Sequence, residues 1–291
     1  MAEKDILEKV LLSCEDVFAD CWNALVCGGR QVLDGTKLLP APTESFYRRE
    51  KELHSQFSDV SFCRVEEGKV RAQYIIENET QARRKQVLRK ASYQGGAYRA
   101  QLESSRPVYP VAGMVLDWSH SWSRIPLSLK KLLEMDGAEA EDLQLVDEVE
   151  LAVYYMKNLP EEVRKRFTSD MGFVADFLSE GGFEGRSGQK ILHPQALCEM
   201  MYALTGDSRF TELVDEISKR QNRGKEIIMC EYLDMLEARG EIKGIEKGIE
   251  KGEKRFAKLI QALLQEKKFD VIALAAKDSD KRQELYKTYG I

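Results

Sequence analysis

Three acidic residues, Asp59, Glu77 and Glu79, stand where a β-hairpin would bring their side chains onto one face. Like charges in close array raise one another's pKa values or recruit a cation. Magnesium prefers one or two carboxylates together with water and a phosphate oxygen, and it can activate water and offset charge on a scissile phosphate. Together with the basic segment that follows, these acids supply the parts for phosphodiester cleavage, in which Asp59 and Glu77 would hold the ion. The alternative is a half-exposed hairpin whose alternate positions are charged without any function.

The hairpin is predicted from alternating apolar and polar residues. Two alternating segments, 57–65 and 70–77, flank a polar turn at 67–69 that contains glycine. In the predicted register Val60 lies opposite Ile76 on an apolar face, and Asp59 lies opposite Glu77 on the other face. A slip by one residue would set polar against apolar side chains, so the hydrophobic pattern selects this register. Glu79 shares the face of Glu77 if the second strand continues that far.

A basic stretch follows the second strand. Between residues 64 and 106 there are ten Lys and Arg against five Glu, whereas residues 134–150 hold eight acids and no base. The stretch begins a predicted helix, 81–102, which two glycines at 95–96 are expected to interrupt. Local basicity of this kind can hold a phosphate backbone. The predicted DNA contacts are Arg83, Arg84, Lys85 and Arg89; an ordinary solvated helix face is the other interpretation.

The remaining segments indicate a mixed fold. A helix within residues 5–33 precedes the hairpin, residues 34–50 are predicted as a loop and a short charged helix, and residues 108–117 as a third, buried strand. The rest is predicted to be mainly helical, in segments 126–134, 146–157, 160–180, 194–203, 208–221 and from 225 onward. This order favours an α/β or α+β sheet flanked by helices, with a helical C-terminal half. The expected division is 1–135, 136–224 and 225–291.

The overall composition sets wider limits. The chain has 291 residues, of which 43% are hydrophobic and 32% charged, which is enough for a sizeable core. The sequence shows no apolar run of membrane-spanning length and no secretory signal. Its six cysteines are far apart and are expected to be reduced thiols. A soluble, cytoplasmic protein without membrane partners is therefore expected, although a net charge of -5 does not itself indicate nucleic-acid binding.

The C-terminal segment contains a short repeat with glycine at every fourth position: 240, 244, 248 and 252. Such a stripe lets another backbone approach closely, although each glycine weakens a helix by about 0.5–1 kcal/mol relative to alanine. A self-associating helix, and hence a homo-oligomer, is one interpretation. A solvated low-complexity helix is the other, and the repeat does not decide between them.

Short motifs in a shared order resemble one known family. Ser58-Asp59-Val60 is similar to the Arg-Asp-Val of that family, and Ile76-Glu77-Asn78 to its Ile-Glu-Asn-Gln. Further similar stretches extend over nearly the whole chain, at 18–23, 28–33, 89–98, 110–122, 126–129, 205–210 and 229–252. The family is the Rpn family of recombination-promoting nucleases and YhgA-like transposases, a branch of the PD-(D/E)XK nuclease superfamily.

The resemblance implies a mixed sheet flanked by helices and a magnesium-dependent DNA endonuclease, a hydrolase acting in DNA recombination. It implies that Asp59 is the first metal-binding acid and Glu77 the second. Asp20, on the first helix, is either a further acid of the site or an ordinary helix-surface residue.

Glu79 departs from the pattern that the resemblance implies. By this resemblance Glu79 occupies the third signature position, which is usually Lys and often Gln in the family. An ammonium orients the attacking water and stabilises developing negative charge, whereas a carboxylate adds repulsion. Three explanations remain open: Arg83 or Lys85 substitutes, Glu79 is an extra metal ligand, or the site is degenerate. In the last case the chain is a DNA- or protein-binding module with a nuclease fold.

Overall fold

The computed structural model describes residues 9–41, 44–49, 52–57, 59–81, 83–102, 107–119, 125–179, 188–221 and 226–291. The chain divides into two compact units, Met1–Glu231 and Tyr232–Ile291. The expected fold class is confirmed: a five-stranded mixed sheet with flanking helices is followed by a helical C-terminal half.

The elements follow one another along the chain. The first unit contains α1 Glu15–Leu25, β1 Leu38–Pro40, β2 Glu44–Arg49, β3 Glu52–Phe57, β4 Val60–Glu66, β5 Lys69–Glu79, α2 Gln86–Leu102, β6 Val111–Asp117, α3 Leu129–Met135, α4 Ala140–Leu143, β7 Ala152–Tyr155, α5 Glu161–Arg164, α6 Met171–Leu178, β8 Lys190–Ile191, α7 Pro194–Thr205, α8 Arg209–Gln221 and β9 Ile227–Ile228. Then come α9 Met229–Gln265, α10 Phe269–Lys277 and α11 Ser279–Tyr289.

The large sheet has the strand order β1-β4-β5-β6-β7. Strands β1, β4 and β5 are antiparallel neighbours, whereas β5, β6 and β7 run parallel. The last residues of β5, β6 and β7 and the beginning of β4 therefore lie at one edge, which we call the carboxyl edge. In open α/β sheets ligands bind beyond the carboxyl ends of the strands.

The predicted hairpin register is confirmed over most of its length, with Val60 paired to Ile76. The predicted three-residue turn is wrong. Glu67 and Gly68 alone form the turn, at φ angles of 51° and 71°, because a two-residue turn with two positive φ angles matches the twist of the strands. The register then shifts between Arg64 and Val65, where a bulge takes up the extra residue.

Alternation along β5 sends its side chains to two different helices. On one face Phe62 of β4 packs against Phe18 of α1, with ring centroids 4.7 Å apart, and Tyr74 packs edge-on against Trp22 at 5.0 Å. On the other face, Ile75 forms a small core with side chains of β6 and α2. The residues of β5 that share the face of Ile75, among them the two glutamates, are therefore directed toward α2.

Several predicted helices differ from the structure. The short charged helix within 34–50 is wrong, because that segment forms β1 and β2. The helix at 146–157 is wrong as well: it contains the edge strand β7, and so short an apolar run does not distinguish a helix from a buried strand. The predicted helix 160–180 is two helices, α5 and α6.

The predicted interruption of α2 at residues 95–96 is also wrong, since the helix runs unbroken from Gln86 to Leu102. Two glycines cost about 2 kcal/mol together relative to alanine. The helix persists because Tyr93 before the two glycines and Ala97 after them both pack against the sheet, in one core with Ile75 and Val111.

The second unit has a core of its own. Four buried residues, Leu259, Leu263, Ala275 and Tyr286, form its centre. Arg255 covers the ring of Tyr286 at 4.4 Å and donates a hydrogen bond of 2.6 Å to the carbonyl oxygen of the last residue, Ile291. These contacts fasten the end of the chain to α9.

Among the described helices, none combines the length and the apolar composition that crossing a bilayer requires. The five cysteines that the structure describes form no disulfide.

Candidate functional site

The two acids predicted as metal ligands lie side by side at the carboxyl edge. Asp59 immediately precedes β4, and its backbone N–H donates to Oε1 of Glu77 at 3.3 Å. In return, the backbone N–H of Asn78 donates to Oδ2 of Asp59 at 2.7 Å. Each carboxylate thus rests against the backbone of the other strand. Strand β5 continues through Glu79, so the third acid follows on the same face.

The electrostatic surroundings of Glu77 are unusual for a glutamate. Glu77 is only 4% exposed to solvent. The pKa of Glu77 is raised to about 8, mainly by burial and secondly by the negative charge of Asp59. The positive charge of Arg89 lowers the pKa and offsets only part of this rise. Burial also raises the pKa of Glu79 against the opposing charges of Arg89 and Arg83. Perturbed carboxyls of this kind occur in functional sites and in structural ion-pair networks.

Arg89 of α2 links the two glutamates. Its Nη1 donates to Oε1 of Glu79, and its Nη2 lies 3.4 Å from Oε2 of Glu77. The hydroxyl oxygen of Tyr93, one helical turn further on, accepts from Nε at 3.2 Å and from Nη2 at 2.9 Å. Gln86 completes the arrangement, because its amide nitrogen donates to Glu79 at 2.9 Å and its amide oxygen accepts from Arg89.

Two further cations meet the acids from the surface. The ammonium of Lys9 lies 2.7 Å from Oδ1 of Asp59, and Nε of Arg83 lies 3.4 Å from Oε2 of Glu79. Their side chains are 32% and 64% exposed. We call the three carboxylates with Lys9, Arg83 and Arg89 the acidic cluster. Its six ionisable groups carry equal numbers of formal negative and positive charges.

The fit of a metal ion depends on how many ligands it needs. Within the part of the chain that the structure describes, no group of three or more His, Cys, Asp and Glu residues is arranged to hold one. Magnesium, however, commonly binds through one or two carboxylates and keeps several waters. The oxygen ligands of Asp59 and Glu77 suit such a hard cation. Lys9, on a flexible and partly exposed side chain, is the cation that an ion would displace from Asp59.

A fourth acid at the carboxyl edge was missed from the sequence. Asp117 ends β6, is paired in register with Glu79, and is 2% exposed. Its carboxylate accepts the backbone N–H of Ser119 at 2.7 Å. The next residue, Trp118, donates its indole N–H to Asn78 at 3.0 Å and so ties β6 to the hairpin. An aspartate ending an apolar run was the only signal, and its meaning depends on knowing that β5 and β6 are parallel neighbours.

The four predicted DNA contacts separate into two pairs. Arg83 and Arg89 are directed toward Glu79, whereas Arg84 and Lys85 are exposed in the turn before α2. Arg84 contacts Asp136 at 2.5 Å, and the ammonium of Lys90 binds the carbonyl oxygen of Glu150. The basic and acidic segments of the sequence therefore contact each other at these two points.

A small open cleft lies between α2 and the sheet. Its lining includes the polar side chains of Glu77, Gln86, Lys90 and Tyr93. Burial lowers the pKa of Lys90, against the opposing charge of Glu150. Glu77 therefore lines a narrow cleft together with the side chains of Gln86, Lys90 and Tyr93.

Asp20 is a buried residue of α1, so its interpretation as an ordinary helix-surface residue is wrong. It is 3% exposed, and its carboxylate accepts hydrogen bonds from the backbone N–H and the hydroxyl of both Thr168 and Ser169. These bonds fix the turn between α5 and α6 onto α1. Charge burial is tolerated here because donors surround the carboxylate.

No protein-family model, no curated protein sequence and no solved structure matches the chain.

Proposed function

We propose that this protein is a magnesium-dependent DNA endonuclease of the recombination-promoting, transposase-related type, with a PD-(D/E)XK-like site at the carboxyl edge. The single observation that supports it best is the contact between Asp59 and Glu77 across the β4–β5 ribbon. The sequence resemblance supports the same residues in the same order. In this proposal, Asp59 and Glu77 hold the ion and DNA is the partner.

The residues of the chain divide the chemistry among them. A magnesium ion, when bound, supplies an activated water and offsets charge on the phosphate. Glu77 would hold the ion as a carboxylate, so binding of the ion requires the loss of the proton that burial and the charge of Asp59 favour on this group. Arg84 and Lys85, exposed in the turn before α2, would hold the DNA backbone by charge without reading the sequence, and Arg84 would exchange its ion pair with Asp136 for a phosphate.

The test is nicking of supercoiled plasmid by the purified full chain. We expect nicks with Mg²⁺ or Mn²⁺ and none in EDTA. Asp59→Asn is expected to lower the rate by at least about 100-fold, since the loss of one ligand removes the preorganised site. Glu161→Gln is the matched control, because Glu161 forms an exposed ion pair with Lys165. Cleavage that survives Asp59→Asn would remove the assignment of the site.

A second function, a catalytically degenerate module that binds DNA or protein, is supported by one specific observation. Every carboxylate oxygen of Asp59, Glu77 and Glu79 already accepts a hydrogen bond or an ion pair from a nitrogen. In this case calorimetry would show no Mn²⁺ binding, and DNA would be retained without turnover. Glu79→Lys separates the two functions further, since a gain of nicking in that variant would indicate a degenerate site.

Self-association through α9 is part of the proposal as a separate claim. Three isoleucines of this helix, Ile242, Ile245 and Ile249, are 49%, 64% and 57% exposed. A methyl group added at Gly244, Gly248 or Gly252 would meet nothing within 4 Å in one chain. Light scattering of the full chain and of Ile245→Asp tests this claim. A monomeric mass for the unsubstituted chain at micromolar concentration would contradict it.

A further inference from the structure

Arg89 contacts two neutral side chains, Gln86 and Tyr93, in addition to the two glutamates that balance its charge. One edge of its guanidinium is bound by Glu79 and Gln86, and Nε is bound by the hydroxyl of Tyr93. The other edge, at Nη2, faces Glu77 across 3.4 Å, a longer contact than the 2.9 Å from the same nitrogen to Tyr93. The five N–H groups of the guanidinium all have partners, and its longest contact to an acid is the one to the metal-binding carboxylate of Glu77.

Glu79 is the residue that makes this arrangement stable. Its side chain is only 6% exposed. A buried carboxylate without a partner costs several kcal/mol, and removing one member of such a pair leaves the other charge uncompensated. Arg89 and Gln86 both bind Oε1, and Arg83 approaches Oε2 from the surface. The contacts of Glu79 are thus with nitrogen donors, as expected for a residue that holds a cation.

We infer that Glu79 is a positioning residue for Arg89, and that the Arg89 guanidinium supplies the fixed positive charge beside Glu77 that binds the phosphodiester as negative charge develops on it. This inference rests on the proposed function. It differs from the three explanations open from the sequence, since the charge comes neither from Arg83 nor from Lys85, and Glu79 is not a metal ligand.

The chemistry of the guanidinium favours Arg89 over its basic neighbours. A planar guanidinium can keep Nη1 on Glu79 while Nη2 exchanges its 3.4 Å contact with Glu77 for a phosphate oxygen, which a single ammonium cannot do. Arg83 is 64% exposed and touches only the outer oxygen of Glu79, and Lys85 is exposed in the turn before α2. Arg89 is 29% exposed and reaches Glu77 itself.

A double-mutant cycle tests the inference in the full chain. Single-turnover plasmid nicking with Mn²⁺ is measured for the parent, Arg89→Gln, Glu79→Gln and the double variant, and Mn²⁺ affinity is measured by calorimetry on each. Arg89→Gln is expected to lower the rate by about 100-fold, the usual loss for one preorganised charge. Glu79→Gln should lower it by about 10-fold alone and by less than about 2-fold when Arg89 is already Gln, because a positioning residue acts only through its partner.

The Mn²⁺ affinity separates positioning from a general structural role. Every variant of the cycle should bind Mn²⁺ at least as tightly as the parent, since a competing cation or its anchor has been removed. The exposed pair formed by Glu216 and Arg220, 3.1 Å apart, provides a matched control cycle with unchanged rates.

Each outcome decides the inference. If the parent chain fails to nick DNA with every divalent metal tested, the proposed function and this inference fail together. If the parent nicks but Arg89→Gln stays within about 3-fold of it, the inference alone fails. Additive losses from Glu79→Gln and Arg89→Gln would show that Glu79 does not act through Arg89. A joint loss of nicking and Mn²⁺ binding would assign Arg89 to the fold rather than to the phosphate.

Discussion

Glu77→Gln should stabilise the metal-free protein at alkaline pH and leave it nearly unchanged at pH 5. The carboxyl of Glu77 is buried beside Asp59, and its pKa rises from an ordinary value of 4.5 to about 8. A carboxyl with a raised pKa binds its proton more tightly in the folded chain than in the unfolded chain. The stability that this proton contributes is fully present below about pH 4.5 and is lost as the pH rises through 8.

The size of the effect follows from the two pKa values. Each pKa unit corresponds to about 1.36 kcal/mol, so a rise from 4.5 to about 8 corresponds to at most about 5 kcal/mol. Glutamine has the shape of the protonated acid and no charge to ionise. Between pH 5 and pH 9 the free energy of unfolding should therefore shift by a few kcal/mol in favour of Glu77→Gln relative to the parent.

The measurement is urea unfolding in EDTA, followed by tryptophan fluorescence at pH 5, 7 and 9. Tryptophan reports the first unit, since Trp22 packs on Tyr74 and Trp118 binds Asn78 next to the site. Restriction to one unit matters because two compact units need not unfold in a single transition.

Glu66→Gln, at the partly exposed end of the same hairpin, is the control. Its ion pairs with Arg64 and Arg71 are long, at 3.9 and 3.8 Å, so its effect should stay within about 0.5 kcal/mol throughout. A difference between the parent and Glu77→Gln that is constant from pH 5 to 9 would refute the burial of an ionisable carboxyl beside Asp59. A difference that changes in the opposite direction would mean that Arg89 outweighs both burial and Asp59.

Two further substitutions test the supports of the sheet. Asp20→Ala removes the acceptor for the N–H and hydroxyl groups of Thr168 and its neighbour, and should lower the free energy of unfolding by about 3 kcal/mol, because buried donors are left unsatisfied; a loss below about 1 kcal/mol in urea unfolding would contradict this. Gly35→Ala adds a methyl group 2.9 Å from the backbone nitrogen of Asp16, where no flexible side chain can move aside, and should lower the free energy of unfolding by about 1–3 kcal/mol in the same measurement. Gly137→Ala is the comparison variant, because at φ 89° with open space around it only backbone strain acts. Equal stability of Gly35→Ala and the parent would contradict the close packing of α1 on this turn.

The hairpin was predictable because its register is determined locally. Alternation placed Val60 opposite Ile76, and that pairing alone brings Asp59 beside Glu77. The turn was predicted less well, since a bulge between Arg64 and Val65 changes the residue count on one strand while keeping the pairing of the apolar residues. Nothing in the local pattern requires such a bulge.

The rest of the site depends on contacts that are distant in sequence. Asp117 joins the carboxyl edge only because β6 lies parallel to β5, a pairing that periodicity cannot reveal. The same is true of β7, whose four residues resembled part of a helix until their pairing with β6 was known. Asp20 was expected on a helix surface because its partner turn lies 148 residues away.

The acidic cluster explains why one set of residues can support both proposed functions. Three carboxyl groups are held together without a metal ion because Lys9, Arg83 and Arg89 offset negative charge and because Glu77, with its pKa raised to about 8, keeps its proton at neutral pH. These cations differ in how easily they leave: Lys9 and Arg83 are partly or largely exposed, whereas Arg89 is anchored by Tyr93 and Gln86. A divalent ion that displaces Lys9 and draws Glu77 away from a 3.4 Å contact would leave Arg89 in place, still bound to Glu79. In the proposed site, an active centre and a closed ion-pair network would thus differ by the displacement of Lys9 and a small movement of Glu77, so a measured affinity for Mn²⁺, rather than the fold, would separate the two proposed functions.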